Sequence, residues 1–103
     1  RSANEVLKVA ASEYEAAIED GRIVNPMEYQ DSRGFVWTAS DMYDEVAKEL
    51  EQIDAAKLQE IRSHIEKMKT AFPGAMPPGQ PVMSPEEFSE LATKIEELSS
   101  VYW

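Results

Sequence analysis

The chain has no cysteine and a single histidine. Without cysteine there can be no disulfide, no thiolate zinc site, no thiol nucleophile and no covalent c-type haem attachment within it. The redox compartment stays open. With one histidine, the paired Glu-x-x-His motifs of carboxylate-bridged di-iron bundles cannot be assembled. Basic residues are also scarce, ten against twenty acidic ones in 103 residues, for a net charge of −10. Such a surface repels the phosphates of nucleic acids and the anionic faces of membranes. It is compatible with cations or basic partners. No run approaches the roughly 18 consecutive apolar residues of a membrane-spanning helix. Arg1 and Ser2 lead straight into a helical pattern without an initiator Met or a signal sequence, which reads as a mature protein or an excised domain. No serine lies in a recognisable nucleophile turn, and no two carboxylates are placed as an acid and base pair, so a non-enzymatic role is expected.

What the chain does have is helix punctuation. In Asn25-Pro26-Met27-Glu28-Tyr29, Asn25 is a competent N-cap, Pro26 suits the first helical position, and Glu28 can close a capping box. Phe35, Ala39, Met42, Val46, Leu50 and Ile53 then recur every three or four residues, predicting an apolar stripe that faces the core. Ser2 and Glu5 form a second box, followed by Leu7, Ala10, Tyr14, Ala17 and Ile18. Gly21 is placed to end that first helix in a left-handed conformation, and Ile23 or Val24 to staple against Tyr29. Between Asp41 and Phe72 there is no Gly or Pro, but the stripe changes phase at Asp54-Ala55-Ala56, where Asp54 can cap a new helix carrying Leu58, Ile61, Ile65, Met68 and Phe72. Four prolines and two glycines make 73–83 a loop. Ser84-Pro85-Glu86-Glu87 then opens a last helix with Phe88, Leu91, Ile95, Leu98 and Tyr102 on one face. No strand pattern is evident. The expectation is one all-α domain over 1–103, an antiparallel up-down-up-down four-helix bundle with helices near 3–20, 25–53, 55–72 and 85–102. Gly34, inside the second helix, predicts a close helix approach or a mild kink.

Four groups of side chains are candidates for chemistry. The short Gly21–Val24 link brings two helix ends together, so Glu19, Asp20, Glu28 and Asp31 are expected at one end of the bundle, where a hard cation such as iron would relieve their repulsion. Glu60 and His64 share a helix face and are weaker candidates for metal, a solvated ion pair being the expected state. Asp41, Glu45 and Glu49 form an acidic ridge read as a solvated face. His64 with a methionine could ligate haem as in b-type cytochromes, and Met76 and Met83 could bind copper(I). Met42 and Met68 fit better as core filler. Trp37, off the main stripe, and Trp103 are candidate contact residues.

Tyr14, Ala17, Asp20-Gly21-Arg22, Val24-Asn25, Glu28-Tyr29, Asp31, Arg33 and Phe35 together resemble a pattern in iron-permease proteins, the bacterial relatives of high-affinity, oxidase-dependent iron transporters. Many of these carry an extracytoplasmic helical segment before the membrane permease. The resemblance covers about twenty residues in detail and most of the chain in layout. It implies a periplasmic, permease-associated domain with the membrane permease or its other domains as partners and iron as a possible ligand. The Arg-Glu-x-x-Glu hallmark of the permease helix is absent, so the chain is not expected to move iron itself. Gly34 stands where the pattern would place an acidic residue. A metal-binding bundle of the b-type-cytochrome kind, or a purely structural interaction bundle, are the alternative readings.

Overall fold

A computed structural model describes residues 2–74 and 76–102. Four helices carry the fold: α1 (Ala3–Ala17), α2 (Pro26–Glu45), α3 (Ala47–Lys69) and α4 (Pro85–Ser99). Three of the four starts, those of α1, α2 and α4, carry a side-chain cap, whereas α3 follows Val46 without one. The Ser2 hydroxyl accepts from Glu5 N–H while the Glu5 carboxylate accepts from Ser2 N–H, both at 3.2 Å, a complete capping box. Asn25 Oδ1 accepts from Glu28 N–H at 3.3 Å, and Ser84 Oγ from Glu87 N–H at 3.1 Å. The box at Asn25 is only half formed, because the Asn25 N–H is already donated to the Ala17 carbonyl.

α1 does not run to residue 20. It ends at Ala17 and passes into a minimal hairpin, β1 (Ile18–Glu19) and β2 (Arg22–Ile23), with Ile18 opposite Ile23 and Glu19 opposite Arg22. Asp20 (φ 52°) and Gly21 (φ 72°) both lie in the left-handed region. Positive φ at both central residues is the requirement of a type I′ turn, and Asp-Gly is a favoured pair for it.

The second helix is interrupted at Val46 (φ −111°, ψ 12°), although the Leu50 N–H still bonds the Val46 carbonyl. The chain reverses at Asp54, whose ψ of 94° is non-helical and whose carboxylate caps Lys57 N–H at 3.0 Å. Contacts pair Asp44 with Arg62, and Tyr29 with Ala71, so the two arms about Asp54 are antiparallel. Likewise Ser32 meets Ala10 and Tyr43 meets Asn4 across α1 and α2, and Asn4 meets Ser99 and Lys8 meets Glu96 across α1 and α4. The bundle is therefore up-down-up-down, 42 Å long and 21 Å wide. The last turn of α3 tightens into i→i−3 bonds at Thr70, Ala71 and Phe72, and α4 ends at Ser99, each about three residues earlier than the sequence implies.

Three stripes face inward as expected, with Tyr14, Ile65 and Phe88 among the fully buried members. The stripe expected on the second helix does so only in part, with Ala39 and Leu50 buried. The buried face of α2 is Tyr29, Ser32, Val36, Ala39, Ser40 and Tyr43, while Phe35 and Met42 are half-buried and Val46 and Ile53 are exposed. Hydrogen bonds explain the rotation. Ser32 Oγ donates to the Ala10 carbonyl at 2.7 Å, and the Tyr29 and Tyr43 hydroxyls also find acceptors, so polar-tipped residues are stable inside. Gly34 is exposed, α2 continues through it, and nothing lies within 4 Å of where its Cβ would stand. Neither a close approach nor a kink explains it. The kink is at Val46.

Candidate functional site

Tyr14, near the end of α1, and Tyr29, in the first turns of α2, lie side by side with ring centroids 6.3 Å apart. Tyr14 stacks on Phe88 at 4.3 Å, and both tyrosines meet Phe72 edge-on at 5.7 and 5.0 Å. Such aromatic pairs contribute about 0.5–1.5 kcal/mol each beyond the area they bury. Their hydroxyls reach opposite ends of the proline-rich loop: Tyr14 donates to the Met83 carbonyl at 2.6 Å, Tyr29 to the Ala71 carbonyl at 2.8 Å. The loop's two ends are thus fastened to the first two helices. Burial pushes the Tyr14 phenol up to about 12 and raises Tyr29 despite the nearby Arg33, so both remain neutral donors.

This fastening sets the loop against the hairpin. A groove of about 590 Å³ runs between them, with Glu15, Glu19 and Asp20 on the hairpin side and Gln80, Val82 and Glu86 across from them. Four carboxylates line it, and no Lys or Arg does. Glu86 lies in the first turn of α4, where the helix dipole favours negative charge.

Of the four carboxylates expected at one end of the bundle, two line this groove. Glu19 and Asp20 line the groove, whereas Glu28 and Asp31 do not. The type I′ turn reverses the chain before α2 begins, so the latter pair starts on a different element. Among the described residues, no three His, Asp or Glu side chains are grouped to hold a metal ion. Sequence reasoning missed Glu15, in the last turn of α1, and Glu86, whose nearness depends on the loop crossing. Because Glu19 lies on β1 beyond the end of α1, helical spacing carries no signal that joins it to Glu15.

The other candidates are dispersed. Glu60 and His64 line a surface depression with Glu97 and the cations Lys57 and Lys94, so the two carboxylates there are matched by two lysines. His64 faces that depression, not the bundle interior where a haem would have to sit. Met68 is buried as core filler, as is Met83, while Met76 is 74 % exposed, so the two loop methionines do not share an environment. Trp37 packs edge-on against Phe72 at 6.2 Å beneath Arg33 and Lys69, at 4.5 and 5.3 Å from its ring, so it is a capped margin of the core. Asp41, Glu45 and Glu49 are exposed. Trp103 lies outside the described residues.

Fold and site together define a small acidic four-helix bundle whose crossing loop is locked onto its first two helices. Over residues 1–102 the chain matches the family model of the iron permease-associated 4-helix bundle domain, and it belongs to that family. It matches no curated protein and no solved structure. It is a helical domain associated with iron uptake. No helix among the described residues is long and apolar enough to cross a membrane.

Proposed function

We propose that this domain works on the extracytoplasmic side of the membrane as a non-enzymatic accessory of an iron permease. In this reading it docks to the permease or its other domains and holds cations weakly beside it. The observation that carries the proposal is the acidic groove at the hairpin end of a domain from an iron-permease family. Carboxylate oxygens are hard donors suited to iron(II) and manganese(II). Dispersed, exposed carboxylates gather counter-ions diffusely and release them quickly, a behaviour weakened by salt. That suits passing iron on, not storing it. Iron is cargo here.

Calorimetric titration of iron(II) under anaerobic conditions, or of manganese(II), tests the cation-holding part. Three proteins are compared: wild type, Glu15→Gln/Glu19→Gln/Asp20→Asn and Glu28→Gln/Asp31→Asn. Weak, salt-sensitive binding that falls furthest in the groove variant is expected. Equal binding by all three proteins overturns the groove's role and leaves docking alone.

A further inference from the structure

Ala39 and Leu50 of the stripe that the sequence presents on the second helix enter the core, and the rest of it forms a partly exposed surface running from α2 into the start of α3. Phe35 and Met42 are half-buried, while Val46 is 39 % and Ile53 is 56 % exposed. Phe35 and Met42, seven residues apart, share one side of α2, and Val46 and Ile53 continue that line across the interruption into the first turns of α3. Midway along, the stripe opens into a depression of about 270 Å³ between the start of α1 and the Val46 interruption, lined by Ala3, Met42, Tyr43 and Val46 with Ser2 at its edge. A cavity of that size accepts one aliphatic or aromatic side chain.

Charge is distributed unevenly about this stripe. At about 100° per residue, Asp31, Glu45 and Glu49 fall along its solvent side, with Asp41 further round, and all four are exposed. The basic residues of the same stretch, Arg33 and Lys48, fall on the far side of the helix. An apolar stripe flanked along its solvent side by Asp31, Glu45 and Glu49 complements an amphipathic helix with an apolar face and a lysine- or arginine-rich flank. A second copy of this chain is a poor occupant, because each copy brings a net charge of −10 and the same acidic edge.

We infer that the face running from Phe35 on α2 to Ile53 on α3 docks a basic amphipathic helix, one apolar side chain of which enters the depression beside Val46. The inference rests on the docking part of the function proposed above and names its surface. The contact is small, so the complex is weak and exchanges quickly.

The test uses a synthetic Leu/Lys amphipathic helix of about 20 residues, labelled for fluorescence anisotropy, at physiological salt. Wild type is compared with Val46→Ser/Ile53→Ser, which leaves the charge unchanged. Both positions are exposed, so the variant keeps its fold, and its thermal melt verifies this. Affinity about tenfold weaker or more in the double variant is expected, from loss of two apolar contacts. A Glu45→Gln/Glu49→Gln variant also weakens binding and flattens its salt dependence. Equal affinity of wild type and the serine variant overturns the inference, since general charge attraction would then account for all binding. A concentration-dependent dimer in sedimentation that the serine variant abolishes overturns it too, in favour of self-association. Neither outcome touches the cation titration, which tests the other part of the proposed function.

Discussion

The Tyr14 hydroxyl donates a 2.6 Å hydrogen bond to the carbonyl of Met83, sixty-nine positions along the chain. This bond joins α1 to the far end of the proline-rich loop inside a cluster of aromatic rings. With its counterpart from Tyr29 to Ala71, it replaces the regular backbone pairing that a loop of four prolines cannot make.

Tyr14→Phe leaves the buried Met83 carbonyl without its donor while keeping the ring stack. A loss of about 1–3 kcal/mol is expected, the usual cost of an unsatisfied buried polar group. Equilibrium urea unfolding measures it. A midpoint equal to that of wild type would mean that the loop is held by other contacts.

Alkaline pH should destabilise the domain through the same residues. Burial raises the folded-state pKa of Tyr14 and of Tyr43 to about 12, against 10.0 for an ordinary tyrosine. Where the folded pKa lies above the unfolded one, the contribution to stability is complete below pH 10 and is lost as pH rises towards 12. Melting temperature should therefore be steady through pH 8–9.5 and fall between 10 and 12, with delayed tyrosinate absorbance in the native protein. All four tyrosines titrating together near 10 without loss of structure would contradict this.

The tyrosine contacts also mark how far the sequence could be read. Caps at Ser2, Asn25, Asp54 and Ser84 were legible because each is local, a side chain reaching a backbone N–H three residues away. The phase of α2 was not. A count of apolar residues favours Phe35, Val46 and Ile53, whereas the core took Ser32, Tyr29 and Tyr43, whose polar tips are satisfied by atoms far along the chain. The hairpin escaped notice because two-residue strands show no alternation, although Asp20-Gly21 is a recognised turn pair. Glu19 and Asp20 could be placed at a bundle end from the short link alone. Their neighbours Glu15 and Glu86 depend on where the loop crosses, which the tyrosines decide.

Gly34→Ala should stabilise the domain. The position is in mid-helix, exposed, and empty for 4 Å around an added Cβ. Replacing Gly by Ala in such a place is worth about 0.5–1 kcal/mol. A higher urea midpoint is expected, and a lower one would show that α2 needs the glycine's freedom after all.

Asn25→Ala should cost about 1 kcal/mol, because Asn25 Oδ1 is the side-chain acceptor for Glu28 N–H at the start of α2. Restoration by Asp or Ser at the same position would identify capping as the cause. An unchanged unfolding midpoint for Asn25→Ala would show that the half-formed box contributes nothing.

Whether this domain serves iron uptake is decided by measuring radioactive iron entry through a permease of its family with and without the domain, at equal amounts of permease in the membrane. Uptake should be slower without the domain when external iron is limiting, with the difference vanishing as iron is raised. Restoring the domain with Glu15→Gln/Glu19→Gln/Asp20→Asn should recover only part of the rate. Equal uptake with and without the domain at limiting iron would show that it has no part in uptake.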